Sequence, residues 1–191
     1  VTAGARPAAP ASAPAGARTD APSARHAALR VALVGNPNTG KTTLFNALTG
    51  MRQRVANFAG VTVERVEGGY RDPDGRRVSV IDLPGCYSLS PHTPDEAIAL
   101  DVLLGRAADV ALPDVVVVVV DAHNLERNLF LLSQLIELGR PLVVALNQWD
   151  AAQADGIHID VVELINELGV TVVPTVATKG LGIDRLRHAI G

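Results

Sequence analysis

The chain has 191 residues, 48% hydrophobic and 19% charged, and its 17 Lys+Arg against 20 Asp+Glu leave a net charge of −3. A chain of this length buries roughly 70% of its unfolded surface, so one α/β domain with a tail needs neither disulfides nor a structural metal; the single Cys86 excludes a disulfide framework and a Cys-rich zinc site, and fits a reducing compartment. With mixed charge and only 3% aromatics there is neither a basic patch nor a set of stacking platforms, and no nucleic-acid partner is expected.

Residues 1–28 hold 12 Ala, 4 Pro and 2 Gly and no Leu, Ile, Phe or Met, so they read as a disordered tail ahead of a domain over 29–191. Three Arg against one acidic residue there resemble a transit peptide, but a solvated tail is the plainer reading. The chain starts at Val1, which leaves a fragment, a processed form and a non-ATG start all open. Its longest apolar run, 115–120, is closed by Asp114 and Asp121 and falls well short of the about 20 residues a spanning helix needs.

From Leu29 onward, short β-branched runs alternate with helical periods, the pattern of a doubly wound sheet. The first strand, 29–34, runs into Gly35-Asn36-Pro37-Asn38-Thr39-Gly40-Lys41-Thr42, and a helix continues through Thr43, Leu44, Phe45, Ala47 and Leu48. This G-x-x-x-x-G-K-T string between a strand and a helix points to a phosphate-binding loop. Its backbone N–H groups and the helix N-terminus would hold phosphate oxygens, Lys41 would reach the β and γ phosphates, and the Thr42 hydroxyl would ligate Mg²⁺.

Residues 51–61 have no clear period and contain Gly60, with Thr62 next in the chain, so a mobile loop is expected there. Thr62 is either a Mg²⁺ ligand ordered by a triphosphate or an ordinary strand residue, and spacing alone leaves both open. Strands 61–70 and 76–82 flank Asp72-Pro73-Asp74-Gly75, a turn too short for a helical crossover, so they form an antiparallel hairpin. Asp82-Leu83-Pro84-Gly85 then offers a carboxylate for Mg²⁺, through water, and the Gly85 N–H for the γ-phosphate. A lone D-x-x-G is more often a strand-ending turn; after a phosphate loop it gains weight.

Thr93-Pro94-Asp95-Glu96 is a capping box with Pro at the first helical position. Strand 114–120 lacks alternation, as a central strand buried on both faces should. Leu125, Leu129, Leu132 and Ile136 form one helical core stripe that ends at Gly139. Strand 141–146 runs into Asn147-Gln148-Trp149-Asp150 at the carboxyl edge of the sheet, where ligands of such folds bind. Asp150 can accept from the guanine N1–H and exocyclic amine, whereas adenine would leave the carboxylate unpaired, which argues for GTP over ATP. A second capping box spans 160–163, strand 170–174 comes next, and Val176-Ala177-Thr178-Lys179-Gly180 carries backbone N–H groups within reach of the guanine O6. Leu164, Ile165 and Leu168, then Ile183, Leu186 and Ile190, are core faces of the last helices. The expected architecture is a mostly parallel six-stranded sheet with one antiparallel strand and helices on both faces, a P-loop GTPase fold.

The segments GNPNTGKTTLFNALTG (35–50), GVTVERVEG (60–68), DLPGCYSL (82–89) and VVDAHNLERNLFL (119–131) resemble the GTPase domain of the bacterial ferrous iron transport protein B family, FeoB, over about residues 29–190. The resemblance implies a GTP-binding and GTP-hydrolysing domain at the cytoplasmic face of the bacterial inner membrane. In that family the same polypeptide continues into a helical regulatory domain and a membrane domain that moves Fe²⁺. It also implies Thr62 as the switch threonine and Asn38 as a K⁺ ligand, with a loop-shaping role for Asn38 equally open. Lys41, Thr62, Gly85 and Asn38 would then form the catalytic set, with GTP or GDP, Mg²⁺ and K⁺ bound.

Several positions depart from the wider GTPase pattern. Cys86 stands where Ras-like GTPases carry a water-orienting Gln, so slow intrinsic hydrolysis is expected, and the thiol reads as partly buried. Gln148 replaces the common Lys of the base motif, and Ala177 lacks the hydroxyl of the usual Ser. Trp149 reads as a packing residue, and Arg52, Arg54 and Arg65 as solvated surface rather than charge donors. Two other readings stay open: a free-standing regulatory GTPase of the ribosome-assembly type, and a nucleotide switch with negligible turnover. An ATP-dependent kinase is disfavoured by Asn147 and Asp150, and whether the chain forms a homo-oligomer is undecided.

Overall fold

The computed structural model describes Val1 and residues 28–191, so the tail expected over 1–28 lies almost wholly outside the described residues. One seven-stranded sheet organises the rest, in the order β2-β3-β4-β1-β5-β6-β7. The strands are β1 (Leu29–Gly35), β2 (Gln53–Asn57), β3 (Glu64–Arg71), β4 (Arg77–Asp82), β5 (Val115–Asp121), β6 (Leu142–Asn147) and β7 (Thr171–Pro174). β3 pairs antiparallel with both β2 and β4, and the remaining pairings are parallel, so β3 alone runs against the sheet.

The mostly parallel sheet with one reversed strand is the expected fold, with one correction. Part of 51–61, where the sequence suggests an irregular loop, is the edge strand β2. All five of its residues are exposed, so no apolar alternation marks it, and backbone pairing with β3 holds it in place.

Helices cover both faces. α1 (Lys41–Thr49) and α6 (Ile183–Ile190) pack Leu44, Phe45, Leu48, Leu186 and Ile190 on one side with Leu33 and Val117. α2 (Pro94–Leu104), α3 (Leu125–Glu137) and α5 (Val161–Leu168) cover the other, where Val102, Leu131 and Leu135 meet Val116, Val118 and Val144. The Val-rich β5 is buried along nearly its whole length because both layers close on it. Short α4 (Trp149–Ala154) starts directly after β6.

The caps behave as their chemistry requires. The Thr93 side chain accepts from Glu96 N–H, the Glu96 carboxylate accepts from His92 N–H, and Pro94 opens α2. Asp160 caps α5 through Val162 and Glu163 N–H. Since β1 lies between β4, reached on one side, and β5, reached on the other, the chain reverses its winding there and leaves a crevice at the carboxyl ends of these strands.

Candidate functional site

The loop after β1 wraps the N-terminus of α1. Gly40 takes φ 81° there, and a Cβ on it would lie 2.5 Å from Asn147 Nδ2, so only glycine allows the approach. Asn38 also adopts a left-handed conformation, φ 68°. The N–H groups of Asn38, Gly40, Lys41, Thr42 and Thr43 find no backbone acceptor among the described residues, and Thr39 Oγ1 closes the turn by donating to Asn36 O at 2.9 Å. The result is a crown of free donors at the positive end of a helix, a ready anion site.

Lys41 Nζ lies 2.5 Å from Asp82 Oδ1, and Thr42 Oγ1 donates to Asp82 Oδ2 at 3.3 Å. The Lys41 and Asp82 side chains are only 12% and 7% exposed, so each charge depends on its neighbour. Strand β4 delivers Asp82, and Leu83 anchors the end of that strand by donating its N–H to Leu33 O. Gly85 packs onto the phosphate loop, where an added Cβ would meet Pro37 N and Cγ at 3.2 Å. The structure therefore gathers Lys41, Thr42, Asp82 and Gly85 at one mouth.

Cys86 does not face that mouth. It is 1% exposed within the hydrophobic layer beneath α2 and α3, which corrects the expectation of a partly buried thiol. Burial pushes its pKa up to about 11, with Glu96 adding to the rise and Lys41 opposing it. Its backbone N–H donates to Gly35 O at 3.2 Å, so the main chain, not the thiol, meets the loop.

Asn147 ties the loops together. Its Nδ2 donates to Thr39 O at 2.9 Å, while its Oδ1 accepts from Ala177 N at 3.1 Å and Thr175 Oγ1 at 3.3 Å, all in the interior. Gln148 Nε2 donates to Asn38 O at 3.1 Å. Beside them a cavity of about 250 Å³ is lined by Gly40, Thr43, Asn147, Gln148, Asp150, Val176, Ala177 and Thr178. Its lining combines the apolar Val176 and Ala177 with the Asp150 carboxylate. That carboxylate is held below its usual range, chiefly by the Lys179 ammonium 2.6 Å away.

In the 176–180 stretch, Ala177 N–H is taken by Asn147, Val176 N–H by Leu181 O, Lys179 N–H by Val176 O and Gly180 N–H by Ala177 O. Thr178 N–H is thus the one without an acceptor among the described residues, a narrower donor set than the sequence suggests.

Thr62 is not joined to this cluster. It is exposed in a turn over 58–63 in which Phe58 N–H donates to Val63 O at 3.0 Å. Asp109 fastens that turn, accepting from Ala59 N at 3.2 Å and from Arg65 Nη1 at 2.6 Å. Arg65 is therefore a paired residue, 20% exposed, not the solvated surface the sequence suggests. Neither this contact nor the Lys179–Asp150 pair could be found from sequence spacing, since the partners lie 44 and 29 positions apart.

Residues 29–190 match the model of the family described as ferrous iron transport protein B. The Fe(2+) transporter FeoB of Salmonella typhimurium is 52% identical over 166 residues, which are 85% of this chain and 21% of that protein, so the chain spans about a fifth of this relative. The cytosolic domain of L. pneumophila FeoB superposes with a TM-score of 0.78 at 46% identity, covering 84% of this chain and 66% of that one. The cytosolic domain of the T. maritima FeoB iron transporter in its GMPPNP form gives a TM-score of 0.79 at 43% identity, covering 85% and 62%.

Proposed function

The chain belongs to the ferrous iron transport protein B family, and on that premise we propose that it is a GTP-binding and GTP-hydrolysing domain that regulates or drives Fe²⁺ passage through a membrane domain of a longer polypeptide. The observation that carries the nucleotide half is the crown of N–H groups at α1, unpaired among the described residues, set beside a cavity lined by Asp150. Phosphates take the crown and Lys41; the base enters the cavity between Gln148 and Val176, and its N1–H and exocyclic amine meet Asp150. The relative solved in its GMPPNP form supports a guanine nucleotide here. Among the described residues no helix is long and apolar enough to cross a membrane, so the transport half rests on family membership.

The residues present fit Mg²⁺. Thr42 Oγ1 and Asp82 Oδ2 already lie side by side, and hydroxyl and carboxylate oxygens are the hard donors this ion takes. When bound, the ion supplies positive charge against the β and γ phosphate oxygens. Asp82 would then exchange its contact with Lys41 for the ion, freeing the Lys41 ammonium to turn to the phosphates. Thr62 would complete the set only after its turn leaves Asp109, so the loop is the element that reports nucleotide state.

Hydrolysis needs a water aligned with the γ-phosphate. The Gly85 N–H, without an acceptor among the described residues, can hold a γ oxygen, while the buried Cys86 thiol neither orients water nor accepts its proton. Slow turnover is the consequence. The Asn38 amide makes no hydrogen bond among the described residues and sits beside the crown, so it fits a monovalent cation that neutralises transition-state charge in place of an arginine. Phosphate release from GTP, measured in KCl and in NaCl at equal ionic strength and saturating Mg²⁺, tests this directly. A rate several-fold higher in KCl, lost in Asn38→Ala, is expected; equal rates would remove Asn38 from that role, and no release above the blank would leave a switch without turnover.

A further inference from the structure

Asp150 already has a partner on each oxygen before any base arrives. Its Oδ2 accepts from Lys179 Nζ at 2.6 Å, and its Oδ1 accepts from its neighbour Ala151 N at 3.0 Å. Both oxygens that would read a guanine edge therefore accept one hydrogen bond already, and the one on Oδ2 comes from a full positive charge. Lys179 is placed for this by the short 3₁₀ turn Ala177–Lys179, whose closing bonds, Lys179 N–H to Val176 O and Gly180 N–H to Ala177 O, fix its backbone next in the chain to the cavity-lining Ala177 and Thr178. Its side chain stays 61% exposed and that of Asp150 38%, so the ammonium is held from solvent against a carboxylate that itself lines the cavity.

From this geometry we infer that Lys179 is a specificity-determining plug of the base site: its ammonium occupies the Asp150 carboxylate in the nucleotide-free protein and must be displaced by the guanine N1–H and amine. The inference rests on the guanine-site reading of the cavity and deepens it. Displacement has a defined cost to binding. If the site is competent only when the pair is open, the apparent dissociation constant equals the intrinsic one divided by the open fraction. The association rate falls by the same factor, and the dissociation rate does not change. A base without two donors facing the carboxylate gains less from Asp150 than Lys179 already provides, so the plug sharpens selection against adenine. Exposed ion pairs are weak, and the effect is correspondingly modest, roughly two- to fivefold in association rate.

The test is stopped-flow association and dissociation of a fluorescent N-methylanthraniloyl GDP with the whole chain, its Lys179→Met variant and its Lys179→Arg variant. Met keeps the apolar stem and removes the charge, while Arg keeps the charge. The expected result is a faster association and a tighter dissociation constant in Lys179→Met by the same factor, an unchanged dissociation rate, and near wild-type values in Lys179→Arg. Raising NaCl should shrink the gap between wild type and Lys179→Met, because salt screens the pair. An unchanged association rate, or a faster dissociation in Lys179→Met as expected of a residue that only supports the turn or packs on the base, overturns the inference. Failure of the wild-type chain to bind the probe, or probe binding that unlabelled GDP does not compete away, overturns the guanine-site reading beneath it.

Discussion

Asn147 Nδ2 donates a 2.9 Å hydrogen bond to the carbonyl oxygen of Thr39, so the end of β6 holds the phosphate loop directly. The same amide accepts from Ala177 N–H and the Thr175 hydroxyl, which makes one buried side chain the common anchor of two loops, the phosphate loop and the segment after β7. Asn147→Ala strands a carbonyl, an N–H and a hydroxyl in the interior. Two or more unpaired buried groups cost about 2–4 kcal/mol. Urea unfolding of the nucleotide-free chain should register that loss, and an unchanged midpoint would separate Asn147 from loop anchoring.

Gly40 stands against that amide. Gly40→Ala combines a left-handed backbone with a Cβ 2.5 Å from Asn147 Nδ2. The conformational part alone costs about 1 kcal/mol, and the clash must push Asn147 off Thr39. Nucleotide affinity should therefore fall by more than tenfold while the chain remains folded by circular dichroism. Wild-type affinity in this variant would show that the close approach is dispensable.

Asp109 fastens the turn that carries Thr62. Asp109→Asn weakens the Arg65 pair, and amide hydrogen exchange over 58–63 should speed up several-fold in the nucleotide-free chain, with β1 and β5 unaffected. If Thr62 is drawn to the phosphates by a triphosphate, the same variant should bind a non-hydrolysable GTP analogue more tightly and GDP unchanged. Slower or unaltered exchange in that turn would deny Asp109 its tether role.

Cys86 supplies a pH prediction. Burial raises its thiol pKa from an ordinary 9.0 up to about 11, so the fold favours the protonated form. Above the ordinary value the unfolded chain ionises while the folded chain does not, and stability falls as pH rises from about 9 toward 11, by roughly 2–3 kcal/mol in all. Tyr70, raised to about 12, adds to the loss at the top of that window. Denaturant melts of wild type and Cys86→Ala at pH 7.5 and 10 isolate the thiol part: the wild type should lose more on going to pH 10. At pH 8 a thiol reagent should label Cys86 at least about a hundredfold faster in denaturant than in the native state, and fast native labelling would place the thiol at the surface.

Most of the candidate site's geometry was legible because its chemistry is local. The string Gly35 to Thr42 names its own strand, turn and helix start, and Asp82 and Asn147 are delivered by apolar strands that announce themselves. β2 was hidden because Gln53, Arg54, Val55, Ala56 and Asn57 bury no side chain, so hydrogen bonding to β3 is the whole reason the strand exists. Arg65 with Asp109 and Lys179 with Asp150 were equally silent, since each pair is made by topology between distant exposed charges. Cys86 misled for a different reason: its position in the motif suggests the catalytic mouth, while the apolar layer under α2 and α3 turns the thiol the other way.

The proposed selection of a guanine base through Asp150, in the cavity lined by Gly40, Gln148 and Ala177, is what separates a GTPase from any other phosphate-loop protein. Titration calorimetry of the chain with GDP and with ADP, at equal Mg²⁺ and salt, addresses it without dependence on turnover or transport. GDP should bind at least about a hundredfold tighter than ADP, with Asp150→Asn losing GDP and gaining xanthosine diphosphate, whose second carbonyl an amide can serve. Equal affinity for GDP and ADP, or GDP affinity untouched by Asp150→Asn, would refute guanine selection at this site.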